Sequence, residues 1–203
     1  MTPDQNRLLD EYCDLLLDWN SRLRLTGFET KDDIRKNLVL EPASASRFFS
    51  LPADNAPLVD VGSGNGSPGM IFAILNPERQ TFLVERRQKK MTFLLYAAGK
   101  LKLSNIHVLE DISMIDPFVS GNRVDVWSKA VSWTDLLKAC TPLFSRFSPI
   151  RIRKFGEDSP PFTCSSTAVH GITFEDFSLS GKCVEVADFF VSEAILMGRS
   201  DTE

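Results

Sequence analysis

Apolar residues recur at helical intervals along the first two dozen positions: Leu8, Leu9, Tyr12, Leu15, Leu16, Trp19 and Leu23, with acids and Asn20 between them. That spacing lays one apolar stripe along an amphipathic helix, which Thr26-Gly27 ends. Thr30 can cap a second helix over KDDIRKNLVLEP, and a third, ASASRFFSL, follows Pro42. Pro52 and Pro57 flank a short polar link, after which the pattern changes. LVDVG, PGMIFAILN, TFLVE, KKMTFLLYAAGKL, IHVLED, VDVWSKA and WTDLLKACTPLF alternate strand-like with helix-like runs. Such alternation predicts a parallel sheet with crossover helices. Beyond Phe155, ITFEDFSL and VADFFVSEAILM are expected to form a closing antiparallel pair. The expected fold is α/β, with a helical extension over residues 1–52 and a sheet domain over 53–203, packed as one unit.

Composition narrows the class. With 203 residues and 43% of them hydrophobic, the chain can bury one sizeable core. A net charge of -4 and a pI near 5.3 give no bulk attraction to nucleic acid, so any such contact must come from local patches. Cys13, Cys140, Cys164 and Cys183 are widely separated and form no C-x-x-C pair. They read as reduced thiols, and no metal is expected. No apolar run approaches the roughly 18 residues that a membrane span needs, so a cytoplasmic protein without membrane contact is expected.

The segment LVDVGSGNGSPGMIFAI carries the chemistry. Gly62, Gly64 and Gly66 follow a strand, and Gly69 stands just inside the next helix, a pattern that brings backbone close to a ligand. The string fits G-x-G-x-x-G from Gly64, which alone is weak. It also fits D-x-G-x-G-x-G from Asp60, through Ser63, which resembles the S-adenosylmethionine loop of Rossmann-like methyltransferases. In that loop an acid at the strand end sits near the methionine part of the cofactor. Glu85, at the end of TFLVE, lies where nucleotide-binding folds place a carboxylate against ribose hydroxyls. Asp111, followed by Ile112, ends the third strand and is expected to accept from the exocyclic amine of adenine, with Glu110 as its neighbour.

Taken together these stretches resemble the GidB family, the bacterial small-subunit ribosomal RNA guanine-N7 methyltransferases. LLLDWNSRLRLTGF resembles its Trp-Asn…Leu-Thr element, VDVGSGNGSPGM its glycine loop with the Pro68-Gly69 step, ERRQKKMTFLL the segment after the ribose acid, LKLSNIHV a helix-to-strand joint, and VDVWSKAVSWTDLLKACTPL the fourth strand and following helix. The resemblance spans roughly residues 8 to 156. It implies a Rossmann-like methyltransferase with S-adenosylmethionine as cofactor, ribosomal RNA or the 30S particle as partner, and a monomer. Two departures stand out. Where the family usually has a His followed by an Asp-Ser, this chain has Asn37-Leu38-Val39-Leu40-Glu41; where it has Ser-Arg-Ala, this chain has Ser128-Lys129-Ala130. Lysine keeps the positive charge but loses the forked guanidinium geometry. Lys129 is the expected catalytic residue, close to the cofactor carboxylate or an RNA phosphate.

Methyl transfer from a sulfonium is an in-line displacement, so alignment and exclusion of water are the main requirements. Guanine N7 carries an in-plane lone pair and needs no general base. There is no N-P-P-Y or D-P-P-Y tetrad and no Pro-Cys nucleophile, and Cys140 reads as core beside Leu136 and Leu137. Arg86, Arg87, Lys89 and Lys90 form one cationic cluster and Arg151, Arg153 and Lys154 another; each is either a phosphate contact or a solvated face. Trp127 and Trp133 bracket Lys129 as packing residues, and neither His107 nor His170 is assigned a role. Three other readings remain: a small-molecule methyltransferase, a catalytically silent RNA-binding module, and an NAD-dependent oxidoreductase, the last disfavoured by Asp60.

Overall fold

The computed structural model describes residues 1–48, 56–118, 123–144, 146–147, 150–155, 173–179 and 182–188. α1 (Pro3–Leu23) opens on a reciprocal cap: Thr2 accepts from Gln5 N while the Gln5 side chain accepts from Thr2 N. Its predicted stripe is buried at Leu9, Tyr12, Cys13 and Leu16. Thr30 caps α2 (Lys31–Ile34), as its hydroxyl allows. The helical path then continues through a π turn, Arg35–Leu40, into α3 (Glu41–Phe48). Pro42 therefore does not separate two helices. It sits in the first turn of α3, where its missing N–H removes little.

Five strands follow: β1 (Leu58–Val61), β2 (Thr81–Val84), β3 (Ile106–Leu109), β4 (Val124–Lys129) and β5 (Ile150–Phe155), in the order β3-β2-β1-β4-β5, all parallel. α4 (Gly69–Leu75) and α5 (Gln88–Lys100) cross over on one face, and α6 (Trp133–Phe144) packs on the other. This is the predicted alternation, and its first switch point, between β1 and β4, is where α/β folds open a ligand crevice.

Among the described residues the parallel sheet is not closed by an antiparallel strand, contrary to expectation. β6 (Thr173–Leu179) and β7 (Lys182–Asp188) form a separate antiparallel ladder with Leu179 opposite Lys182. Only Ser180-Gly181 separates the two strands in sequence, so TFEDFSL pairs with KCVEVAD directly after it rather than with the later apolar run. Most of VADFFVSEAILM, and His170, lie outside the described residues.

Two cores flank the sheet. Val59, Val61, Phe82, Val84 and Val126 face α6, while Leu83 alternates to the opposite side, where α1, the π turn, α4 and α5 meet. α4 is buried at Gly69, Met70, Ile71, Phe72, Ala73 and Ile74 because the N-terminal helices cover the side that the sheet does not. That accounts for PGMIFAILN being apolar nearly all round. At the N-terminal edge of the strands, Arg79 Nη2 meets Asp125 Oδ2 at 3.1 Å, and the guanidinium also donates to the Ala56 carbonyl. Both side chains are almost fully buried, at 2% and 1% exposure. Asp125→Ala would strand the guanidinium in the core. Urea denaturation is expected to show a loss of about 3 kcal/mol, and Arg79→Met with Asp125→Leu together should cost less than Asp125→Ala alone.

Candidate functional site

β1 ends in Asp60-Val61, and the chain then turns through Gly62, Gly64 and Gly66, with φ of 74°, 55° and 99°. Those angles explain the glycine run, since a side chain at any of the three would be strained. The turn is tied to the end of β2 by Gly62 N and Ser63 N, both donating to the Val84 carbonyl. Gly69 is required for a different reason. A Cβ there would stand 2.5 Å from Leu83 and 2.7 Å from the Asp60 carboxylate.

That proximity serves a hydrogen bond: Gly69 N donates to Asp60 Oδ2 at 3.0 Å. Asp60 is fully buried, and its Oδ1 has no hydrogen-bond partner among the described residues. Burial pushes the carboxyl from 3.8 up to about 7, with the Glu85 charge adding in the same direction. Glu85 itself is held by two N–H groups, Gly64 N on Oε2 at 2.9 Å and Arg87 N on Oε1 at 2.8 Å. Each oxygen keeps a further lone pair for a ligand. Asp111 Oδ1 accepts from Ser113 N and Oγ, which hold its carboxyl below the usual range; its Oδ2 lies 3.6 Å from Arg86.

A cleft of about 430 Å³ opens between these residues, lined among others by Gly62, Glu85, Asp111, Ile112 and Val131. Four predicted residues thus meet at one wall. Asp60, Ser63, Pro68 and Gly69 lie beneath or behind the loop rather than at its surface. Gly66 faces inward to Met70, Leu94 and Tyr12. A larger concavity, about 880 Å³, lies at the end of α1 around Asn20, Arg24, Leu25 and Thr26, and contains none of the three acids.

The N-terminal helices brace the loop from outside. Tyr12 Oη donates to the Asn65 carbonyl at 2.9 Å, Asn65 Nδ2 to the Leu25 carbonyl, and Ser67 Oγ to the Leu38 carbonyl. None of these three contacts was legible from the stripe that buries Tyr12. Lys129, at the end of β4, donates to Glu41 Oε2 at 2.9 Å and to the Asn37 carbonyl at 3.0 Å. The two departures from the family pattern therefore meet in one ion pair. Glu41 was the missed partner, and no local pattern in the sequence pairs it with Lys129.

Several side chains settle as structural. Trp127 is buried edge-on between Phe72 and Phe155, and Cys140 is buried in the core, its thiol pushed up to about 12. Lys154 is buried as well, so it does not lie on an exposed cationic strand face; the side chains of Arg151, Arg153 and Trp133 lie outside the described residues.

The Asp60 shift has a definite sign in stability. Between its ordinary value of 3.8 and about 7 the folded protein holds a proton that the unfolded chain has released, so this group's contribution to stability falls as pH rises through that window. Asp60→Asn removes the titration while its amide oxygen can still accept from Gly69. The urea midpoint of the variant relative to wild type should rise from pH 4 to pH 7 and then level off; a constant difference would place the titration elsewhere.

Comparison with known proteins agrees with this architecture. The M. capricolum TrmK structure, in complex with S-adenosyl-homocysteine, superposes with a TM-score of 0.51 at 11% identity, covering 76% of this chain and 69% of that one. A SAM-dependent methyltransferase from Aquifex aeolicus superposes at 0.51 and 14% identity, covering 78% and 93%. Both establish a shared Rossmann-like fold. In sequence, the chain is 37% identical over 109 residues to "Ribosomal RNA small subunit methyltransferase G 1" of Syntrophobacter fumaroxidans, covering 54% of this chain and 48% of that protein. It is 33% identical over 146 residues to the methyltransferase G of Moorella thermoacetica, covering 70% and 60%. The matches thus span about half to three-fifths of these relatives' length. The GidB profile, described as rRNA small subunit methyltransferase G, matches residues 5–142, and the chain belongs to that family.

Proposed function

We propose that the protein is an S-adenosylmethionine-dependent methyltransferase acting on guanine N7 of small-subunit (16S) ribosomal RNA. The observation that carries this reading is the pair of acids at the glycine turn, Asp60 with a buried oxygen unpartnered among the described residues and Glu85 fixed by two N–H donors, in a chain of the GidB family. The residues fit the cofactor. Glu85 would accept from its ribose hydroxyls, and Asp60, beneath the loop, would set the turn that lies near its methionine part. Asp111 and Ile112 would line the adenine side. S-adenosylmethionine supplies an electrophilic methyl group on a sulfonium. The chain would align the base with that methyl and keep water out; guanine N7 has its own in-plane lone pair, so no protein base would be needed. Residues 1–52 would act with the methyltransferase domain, residues 53–203, as one unit, since the helices brace the loop.

Lys129 enters this reading as the charge that holds Glu41, and through it the helical layer, at the end of β4. Lys129→Ala leaves the Glu41 carboxylate without its cation in a half-buried place, so turnover should fall further than in Lys129→Arg. Equal turnover in the two variants would remove Lys129 from the site.

Two measurements test the whole. Calorimetry should show S-adenosyl-homocysteine bound in preference to NAD, with Glu85→Ala weakening it by about 1.5 to 3 kcal/mol and Glu85→Gln by less. Labelled methyl transfer to 30S particles or their RNA should give a fixed-charge guanine that borohydride and aniline cleave. Label on an exocyclic amine, a ribose or a carbon would refute N7 chemistry, and transfer only to small molecules would favour that alternative.

A further inference from the structure

Residues 86–109 contain six Lys or Arg and no Asp or Glu, in a chain whose net charge is -4. Most of this stretch is α5, which starts three residues after Glu85, so its basic first turn lies beside the glycine loop. Lys90 Nζ stands 3.6 Å from the position of a Cβ on Gly64. From there the helix runs away from the cleft for about 20 Å. Its outward face presents Lys89, Thr92, Leu95, Tyr96 and Lys100, spaced as one helical stripe.

Two large apolar side chains on that stripe are exposed, Leu95 at 58% and Tyr96 at 41%. Tyr96 is not a loose side chain. Trp19 from α1 packs against its ring at 5.1 Å between centroids, and against Phe93 at 5.7 Å, while Lys100 Nζ lies 5.6 Å from the Tyr96 centroid. A phenol ring braced by Trp19, 41% exposed and with the Lys100 ammonium over it, suits a flat π-face that takes the place of that ammonium. Cations at both ends of the helix suit phosphates. This combination of stacking platform and phosphate-tracking charge is how proteins hold single-stranded nucleic acid. An acidic peptide would use the lysines but would leave Leu95 and Tyr96 without a matching surface.

We infer that the exposed face of α5 is an RNA-docking surface, in which Tyr96, braced by Trp19, stacks on an unpaired base while Lys89, Lys100 and Lys102 contact the phosphodiester backbone. It rests on the RNA-methyltransferase reading and deepens it, because it routes the strand along α5 from the cleft. An overall acidic protein then meets RNA through one local face.

The full chain is titrated into a fluorescein-labelled single-stranded oligoribonucleotide, with anisotropy read at several salt concentrations. Tyr96→Ala should weaken binding on the order of tenfold. Tyr96→Phe, which keeps the ring, should restore most of the affinity. Lys100→Gln should lower the slope of log affinity against log salt by about 0.7. S-adenosyl-homocysteine affinity should be unchanged in all three, and each thermal midpoint should stay well above the assay temperature, which separates lost docking from lost folding. The inference is overturned if the wild-type chain does not bind the RNA, if Tyr96→Ala and Lys100→Gln bind it as wild type does, or if they lose affinity for polyglutamate and not for RNA. Methyl transfer by the wild-type chain to ribosomal RNA, measured separately, tells whether such a failure touches α5 alone or the functional reading as well.

Discussion

The hydrogen bond from Gly69 N to Asp60 Oδ2 joins the end of β1 to the first turn of α4 beneath the glycine loop, and the loop's geometry depends on it. For the bond to form, the helix must approach the carboxylate so closely that only glycine fits at position 69. The three positive-φ glycines then carry the chain up and over the buried acid. The arrangement costs something: Asp60 is fully buried and one of its oxygens has no partner among the described residues, so its carboxyl resists ionisation. A buried acceptor of this kind becomes favourable once a cationic donor arrives.

Such a turn would relax if its outer side were open to solvent. Here it is covered: Tyr12, Leu25 and Leu38, from three parts of the helical layer, each bond the segment Asn65 to Ser67. Because α4 is buried by the same helices, the layer fixes both the loop and the helix that the loop feeds. Changes in the first forty residues are therefore changes in the site, even where they lie far from the cleft in sequence.

The pattern of apolar runs made most of the sheet legible, four of its five parallel strands and the three helices between and after them, while β5 was read only as a cationic segment. The acids were legible for a related reason: Asp60, Glu85 and Asp111 each follow an apolar run, and in a parallel sheet the strand ends share one edge. What stayed hidden needed distances between segments. Nothing local in LLLDW shows that Tyr12 reaches the Asn65 carbonyl, and a proline after Glu41 reads as a break unless the preceding π turn is known. The C-terminal pairing was misread because apolar content favoured VADFFVSEAILM, while the two-residue separation favoured KCVEVAD. Chain proximity decided that case, since a short connection loses little entropy on closing.

The same need for distances governs the two departures from the family pattern. Taken singly, an acid at position 41 and a lysine at 129 look like losses, one adding a charge and the other weakening the geometry of a cation. Placed 2.9 Å apart, with the Asn37 carbonyl as a second acceptor for the lysine, they tie the helical layer to the end of β4. A lone half-buried charge at either position would carry an uncompensated desolvation cost, so the two residues make physical sense only together. The pair also limits what Lys129 can do, since an ammonium committed to Glu41 cannot at the same time serve as the main anchor for an RNA phosphate. In the proposed reading, phosphate contacts would then fall to cations with no such internal acid beside them, and the longest acid-free run of this chain lies along α5.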